Sequence, residues 1–196
     1  VAALPEVLAL SPTVSGPGFV LRGEVDKTVT VLGIDPYSYT LVTKFAEKIV
    51  AGRFILGADD MIIGTELAKD LGAGVGDKVR LQTARSTGTA FTVRGIYDIG
   101  NREGNRRFAY ITLRTGQALL DLAGGASSLE IAITDIFAAA TFATSLRQQT
   151  TQKVESWEEI NRELFTALSN QTIMTRIVRS FVAVIVAIGI TSVLVV

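Results

Sequence analysis

The sequence predicts an α+β fold, and three observations carry that reading. Runs of β-branched and apolar residues, bounded by Gly, Pro and polar turns, recur through the first two-thirds of the chain. Between them, short stretches open on a capping residue and keep helical spacing. The last third leaves the strand pattern and passes, with no proline, into a charge-free apolar run over residues 180–196.

The segment 7–12 reads as a strand leading into a turn at Gly16, Pro17 and Gly18. Segments 19–22 and 28–34 (TVTVLGI) alternate or run apolar as paired strands do, with a hairpin through 23–27. Asp35 followed by Pro36 is a helix cap with proline in the first turn, so a short helix is expected from Tyr37 to about Thr43. The segment 45–56, punctuated by Gly52, fits either helix or strand. DMIIG at 60–64 is a short buried strand, after which Thr65 is placed to cap a helix over 66–71 that ends at Gly72. KVRLQT at 78–83 and AFTVRGIY at 90–97 form an antiparallel pair joined by a turn at Ser86–Gly88. A polar loop over 101–107 (NREGNRR) leads to a strand at 108–112 and a helix near 115–122.

A strand over 128–134, helical spacing over 136–149 and one more short strand at 153–155 follow. Ser156 and Glu159 then stand at N-cap and N3, the spacing of a capping box. From there the pattern reads as one long helix, amphipathic from Trp157 to Thr175 and uniformly apolar after Arg179. Trp157, Phe165 and Leu168 are expected to pack its soluble part against the domain. The final 17 residues fall a little short of the roughly 20 that span a bilayer, so they read as a transmembrane helix cut short, and the chain as a fragment of a membrane protein. A buried core helix is the alternative, but it would keep a polar face, and Arg176 and Arg179 stand where interfacial anchors do. Residues 1–10 lack the basic start of a secretory signal and are broken by Pro5.

Composition narrows the chemistry. Lys plus Arg equals Asp plus Glu at 19 each, so no global field draws nucleic acid. With no cysteine and no histidine, disulfides, thiolate metal sites and a Ser-His-Asp triad are all excluded. The glycine-rich run at 72–77 (GAGVGD) lacks the Lys-Ser/Thr of a phosphate loop and follows a helix instead of opening one, so a turn explains it better. Asp59 and Asp60 are adjacent, which on a strand points them to opposite faces, so they offer no paired-carboxylate site and read as a solvated turn. Arg102, Arg106 and Arg107 form a cluster that can meet a phosphate or a partner's carboxylate, or simply decorate a solvated tip.

Five stretches in order carry a resemblance: LPEVLALSPTVSGPGFVLRG, VTVLGIDPYSY, DDMIIGTELAKDLGAGVGDKVRLQT, FTVRGIYDIG and SWEEINRELFTAL running into the apolar end. The chain resembles the extracytoplasmic, MacB-like periplasmic domain of MacB/FtsX-type ABC transporter permeases, nearest in flavour to the lipoprotein-releasing (LolC/LolE-type) permeases. The phrases at 63–79 and 33–36 are its most specific parts.

The resemblance implies an α/β periplasmic subdomain built from 1–74 and 105–155, an inserted β-rich subdomain at 75–104, a pre-membrane helix over 156–179 and a truncated transmembrane helix over 180–196. It places the protein in the bacterial inner membrane with its soluble part in the periplasm. It implies no cofactor in this chain, with ATP and Mg at a cytoplasmic ABC ATPase partner, a second permease copy or paralogue beside it, and a lipoprotein or other periplasmic protein as cargo or chaperone. The chain is then not an enzyme. Arg102, Arg106 and Arg107 become the expected partner contact, while Ser156, Trp157, Glu159, Phe165 and Leu168 couple the helix to the domain. The resemblance implies that the domain couples cytoplasmic ATP hydrolysis to extraction or export of a substrate, with lipoprotein release favoured and MacB-like efflux of peptides or drugs as the alternative. Two rivals of other classes are a single-pass sensor ectodomain and a membrane-anchored hydrolase using carboxylates, which the missing histidine disfavours.

Overall fold

A computed structural model describes residues 4–160 together with Arg179 and Val182. The chain divides into two compact units, the first ending at Thr134 and the second starting at Asp135. The first unit holds strands β1 (Val7–Arg22), β2 (Val25–Ile34), β3 (Ile49–Gly52), β4 (Asp60–Gly64), β5 (Lys78–Thr83), β6 (Ser86–Tyr97), β7 (Phe108–Thr112) and β8 (Ser128–Ile133). Between them lie helices α1 (Pro36–Val42), α2 (Thr65–Leu71), α3 (Arg102–Arg107) and α4 (Leu113–Leu119). The second unit carries α5 (Ala139–Gln149) and α6 (Trp157–Ile160).

All eight strands belong to one sheet. Six of them close on themselves: β1 pairs β2, β2 pairs β7, β7 pairs β4, β4 pairs β6, β6 pairs β5, and β5 returns to β1. Strand alternation fills this small barrel from every wall. Val20, Val29 and Val31, Met61 and Ile63, Val79 and Leu81, Phe91 and Val93, Ala109 and Ile111 all belong to one buried cluster, to which α2 adds Leu67, Ala68 and Leu71. The intervening side chains Ile34, Ile62, Tyr97 and Tyr110 point outward into a second cluster, covered by Tyr39 of α1 and by Phe45, Ile49, Phe54 and Leu56. Five aromatic rings meet there, with Phe45 5.0 Å from Tyr97 and 4.4 Å from Tyr110, in tilted and edge-on pairs that suit their quadrupoles.

β1 has a double role. Its residues Thr13–Arg22 ladder with β2, and Phe19–Leu21 close the barrel against β5, while Val7–Thr13 pair antiparallel with β8 outside it. The turn expected at Gly16, Pro17 and Gly18 is therefore absent, and β1 runs straight through. Residues 14–18 lie between the partners of β8 and of β5, where β1 is laddered on one side only, and a proline lacking its N–H is tolerated in such a place. The turn expected at Ser86–Gly88 instead falls on Ala84 and Arg85, since Ser86 already pairs with Thr83.

Other expectations are also adjusted. The segment 75–104, expected as an inserted subdomain, is β-rich but supplies β5 and β6 to the common sheet and four side chains to the common core. No strand forms at 153–155. Thr65 opens α2 but does not cap it: Gly64 is the N-cap, without a side-chain bond, while the expected stop at Gly72 is a left-handed C-cap (φ 59°). The helix after β7 starts at Leu113, and Asp35 caps α1 by accepting from Ser38 N at 3.1 Å. Phe165, Leu168, most of the expected pre-membrane helix over 156–179 and nearly all of the expected membrane segment over 180–196 lie outside the described residues. Among the described residues no helix is long and apolar enough to cross a membrane.

Candidate functional site

The arginine cluster sits on a helix, where the sequence suggested a loop. Asn101 caps α3, its Oδ1 accepting from Glu103 N (2.9 Å) and Gly104 N (3.2 Å). That turn of helix brings its arginines beside α2. Arg106 Nε donates to Asp70 Oδ2 at 2.8 Å, and its Nη2 stands 3.6 Å from Glu66 Oε2. Arg102 Nη2 reaches the same Glu66 oxygen at 3.3 Å. Arg107 is apart from both, with its guanidinium carbon 5.9 Å from the centre of the Phe108 ring.

Glu66 is the hub of this seam. Its side chain is only 11 % exposed and meets Lys69, Arg102 and Arg106. The hydrogen bond from Lys69 Nζ (2.9 Å) does most to hold its carboxyl below the ordinary value, Arg102 adds to it, and burial opposes both. Glu66 and Asp70 stand one helical turn apart on α2, a spacing visible in the sequence that becomes informative only once α3 is known to lie alongside. The seam consumes Arg106, while the Arg102 side chain stays 82 % exposed and Arg107 is an exposed residue, so α3 presents two outward cations.

The other polar motifs are structural. Asp77 Oδ2 accepts from Gly74 N and from Arg22 Nη2, both at 2.9 Å, so a carboxylate fills the glycine-rich turn. Asp60 is not a solvated turn residue: it pairs with Arg94 Nε at 2.8 Å and accepts from Gly57 N at 2.9 Å. Among the described residues no group of three or more acidic side chains is arranged to hold a metal ion.

At the start of α6 the capping box forms as its spacing indicates. Glu159 N donates to Ser156 Oγ (3.3 Å), and Ser156 N donates to Glu159 Oε2 (3.1 Å). Trp157 follows as the first helical residue. Sequence reasoning missed Arg147, in the last turn of α5, which donates to Val154 O through Nε (2.9 Å) and Nη2 (2.7 Å) and pairs with Glu159.

The chain is similar to several known proteins. It is 28 % identical to the "Lipoprotein-releasing system transmembrane protein LolC" of Neisseria meningitidis serogroup B, over 96 % of this chain and 49 % of that protein. It is 25 % identical to the protein of the same name from Xylella fastidiosa, over 91 % of this chain and 46 % of that one. The chain thus spans about half the length of these curated relatives. In fold it resembles the extracellular domain of the noncanonic ABC-type transporter YknZ from Gram-positive bacteria, with a TM-score of 0.57 at 16 % identity, covering 78 % of this chain and 81 % of that one. It also resembles the periplasmic region of MacB from Actinobacillus actinomycetemcomitans, with a TM-score of 0.55 at 16 % identity, over 83 % of this chain and 78 % of that one. A MacB-like periplasmic core domain matches residues 1–155. The match takes in the whole sheet and covers most of the chain, and this chain belongs to the MacB-like periplasmic core domain family.

Proposed function

We propose that this chain is the periplasmic part of an inner-membrane ABC permease that couples ATP hydrolysis in a separate cytoplasmic ATPase to the release of lipoproteins from the membrane. The observation that carries this reading is the family match across 1–155 together with likeness to LolC proteins along nearly the whole chain. On this reading the chain performs no chemistry of its own and binds no cofactor, ATP and Mg belonging to the ATPase. A second permease copy or paralogue completes the transporter. The outward cations Arg102 and Arg107 are the contact for a carboxylate-bearing periplasmic partner or cargo, with Arg106 held back by Asp70 and Glu66. Ser156, Trp157 and Glu159, with Phe165 and Leu168 further on, join the domain to the membrane part.

The test is reconstitution of the full-length permease with its ATPase in lipid vesicles bearing a lipoprotein. ATP-dependent transfer of that lipoprotein to a soluble acceptor supports the reading, whereas ATP hydrolysis that exports peptides or drugs and leaves the lipoprotein in place replaces it with MacB-like efflux, which the fold likeness to MacB makes the second reading. Replacing Arg102 and Arg107 by Ala should lower transfer several-fold and leave ATP hydrolysis intact. Unchanged transfer would remove α3 as the contact.

A further inference from the structure

We propose that Arg147 is a positioning residue that fastens the end of α5 to the start of α6, so that the two helices move as one body. The proposal rests on the transport reading above and adds to it the side chain through which motion would enter the domain.

The connection between α5 and α6 is a poor mechanical link by itself. Residues 150–156 form neither helix nor strand, and a bond such as Gln152 N to Thr150 Oγ1 (3.2 Å) ties the connection only to itself. Arg147 bridges it. One guanidinium grips the connection at Val154 O through two donors and the first turn of α6 at the Glu159 carboxylate. The same carboxylate oxygen accepts from Ser156 N, and Ser156 is itself buried. Fork, connection and capping box therefore share one node, and α6 cannot change direction without breaking either the box or the fork. Lysine does not substitute for this: it carries the charge but lacks the planar set of donors that meets two acceptors at once.

The test uses the full-length permease with its ATPase in nanodiscs. This chain has no cysteine, so spin labels can be attached at Ser145→Cys and Ile160→Cys, both exposed, in a cysteine-free background. The expected result is one narrow label–label distance with the same mean in the nucleotide-free and vanadate-trapped states. Arg147→Gln should broaden it at least twofold, and so should Arg147→Lys, which keeps the charge and serves where the first variant fails to fold. In unlabelled protein, Arg147→Gln should raise the ATP consumed per lipoprotein released at least threefold at an unchanged hydrolysis rate. A short dithiol-specific crosslink in the Arg147→Cys, Glu159→Cys variant should restore the ratio. A distance as narrow in the variants as in the wild type overturns the proposal, as does a wild-type distance that shifts with nucleotide. A wild-type transporter that releases no lipoprotein overturns the transport reading instead, and the label distances still judge the clasp.

Discussion

The hydroxyl of Tyr97 lies at the foot of α3, within 2.9 Å of Gly104 O and 3.1 Å of Phe108 O, on a fully buried ring. Tyr97→Phe should therefore cost about 1–2 kcal/mol in chemical denaturation, and an unchanged midpoint would show the bond to be idle. Burial, above all, pushes the Tyr97 and Tyr110 phenols well above their ordinary value of 10.0. The unfolded chain loses these protons near pH 10 while the folded chain holds them, so this contribution is complete below pH 10 and falls as pH rises beyond it. Stability measured from pH 8 to 12 should drop above 10, and less steeply in the double Phe variant. Glu66 behaves in the opposite sense: its lowered value makes a contribution present above pH 4.5 and lost as pH falls below it. Glu66→Gln should flatten that acid limb, as followed by thermal melts between pH 3 and 6. The sequence announced the Ser156–Glu159 box because both partners lie within one turn. It could not announce Glu66 with Arg102, 36 positions apart, because nothing local records which helix will lie alongside.

At the scale of elements, α4 lies directly on β2 through two glycines. A Cβ on Gly116 would come within 2.9 Å of Gly33 Cα, and one on Gly33 within 3.1 Å of Gly116 Cα. Gly116→Val should push the helix off the strand at a cost of about 2–3 kcal/mol, whereas the same change at Gly100, which has open space around it but a strained φ of 76°, should leave α4 in place. A heteronuclear spectrum showing α4 amides unshifted in Gly116→Val would refute the close packing. Short helices with a cap or a stop glycine, such as α1 and α2, were legible because those signals are local. The Gly16-Pro17-Gly18 stretch was not, since those residues have the chemistry of a turn and the position of a strand. Only tertiary partners distinguish the two: β2 along its length, and Leu120 and Leu81 crowding its glycines. The α3 helix was hidden for a related reason, its six residues, five polar and one glycine, carrying no apolar stripe for periodicity to detect.

For the molecule as a whole, closure of the sheet is the property the sequence left unwritten. Apart from β3, whose segment fits either helix or strand, and the middle of β1, the strand runs were recognisable, but a ring depends on which strands pair, and β2–β7 and β5–β1 join segments far apart in the chain. A closed ring gives each of its six strands a partner on both sides over part of its length, so none is an edge strand free to fray from end to end. Hydrogen exchange should consequently show the slowest amides of β2, β4, β6 and β7 leaving as one class, with β3 and β8, each paired along one side only, exchanging earlier. A β4 that exchanges ahead of β8 would contradict the closure. The double role of β1 bears on how the first unit withstands load. β8 ends at Ile133, one residue before the first unit closes at Thr134, and its six register pairs with β1 run from Thr13↔Ser128 to Val7↔Ile133. Tension drawn along β8 from that end strains these pairs side by side, as in shear, instead of peeling them one by one, and β1 hands the strain to the barrel wall. An optical-tweezer pull between Thr134 and Arg22 should give a single high-force rupture, the mark of a rivet and not of a zipper.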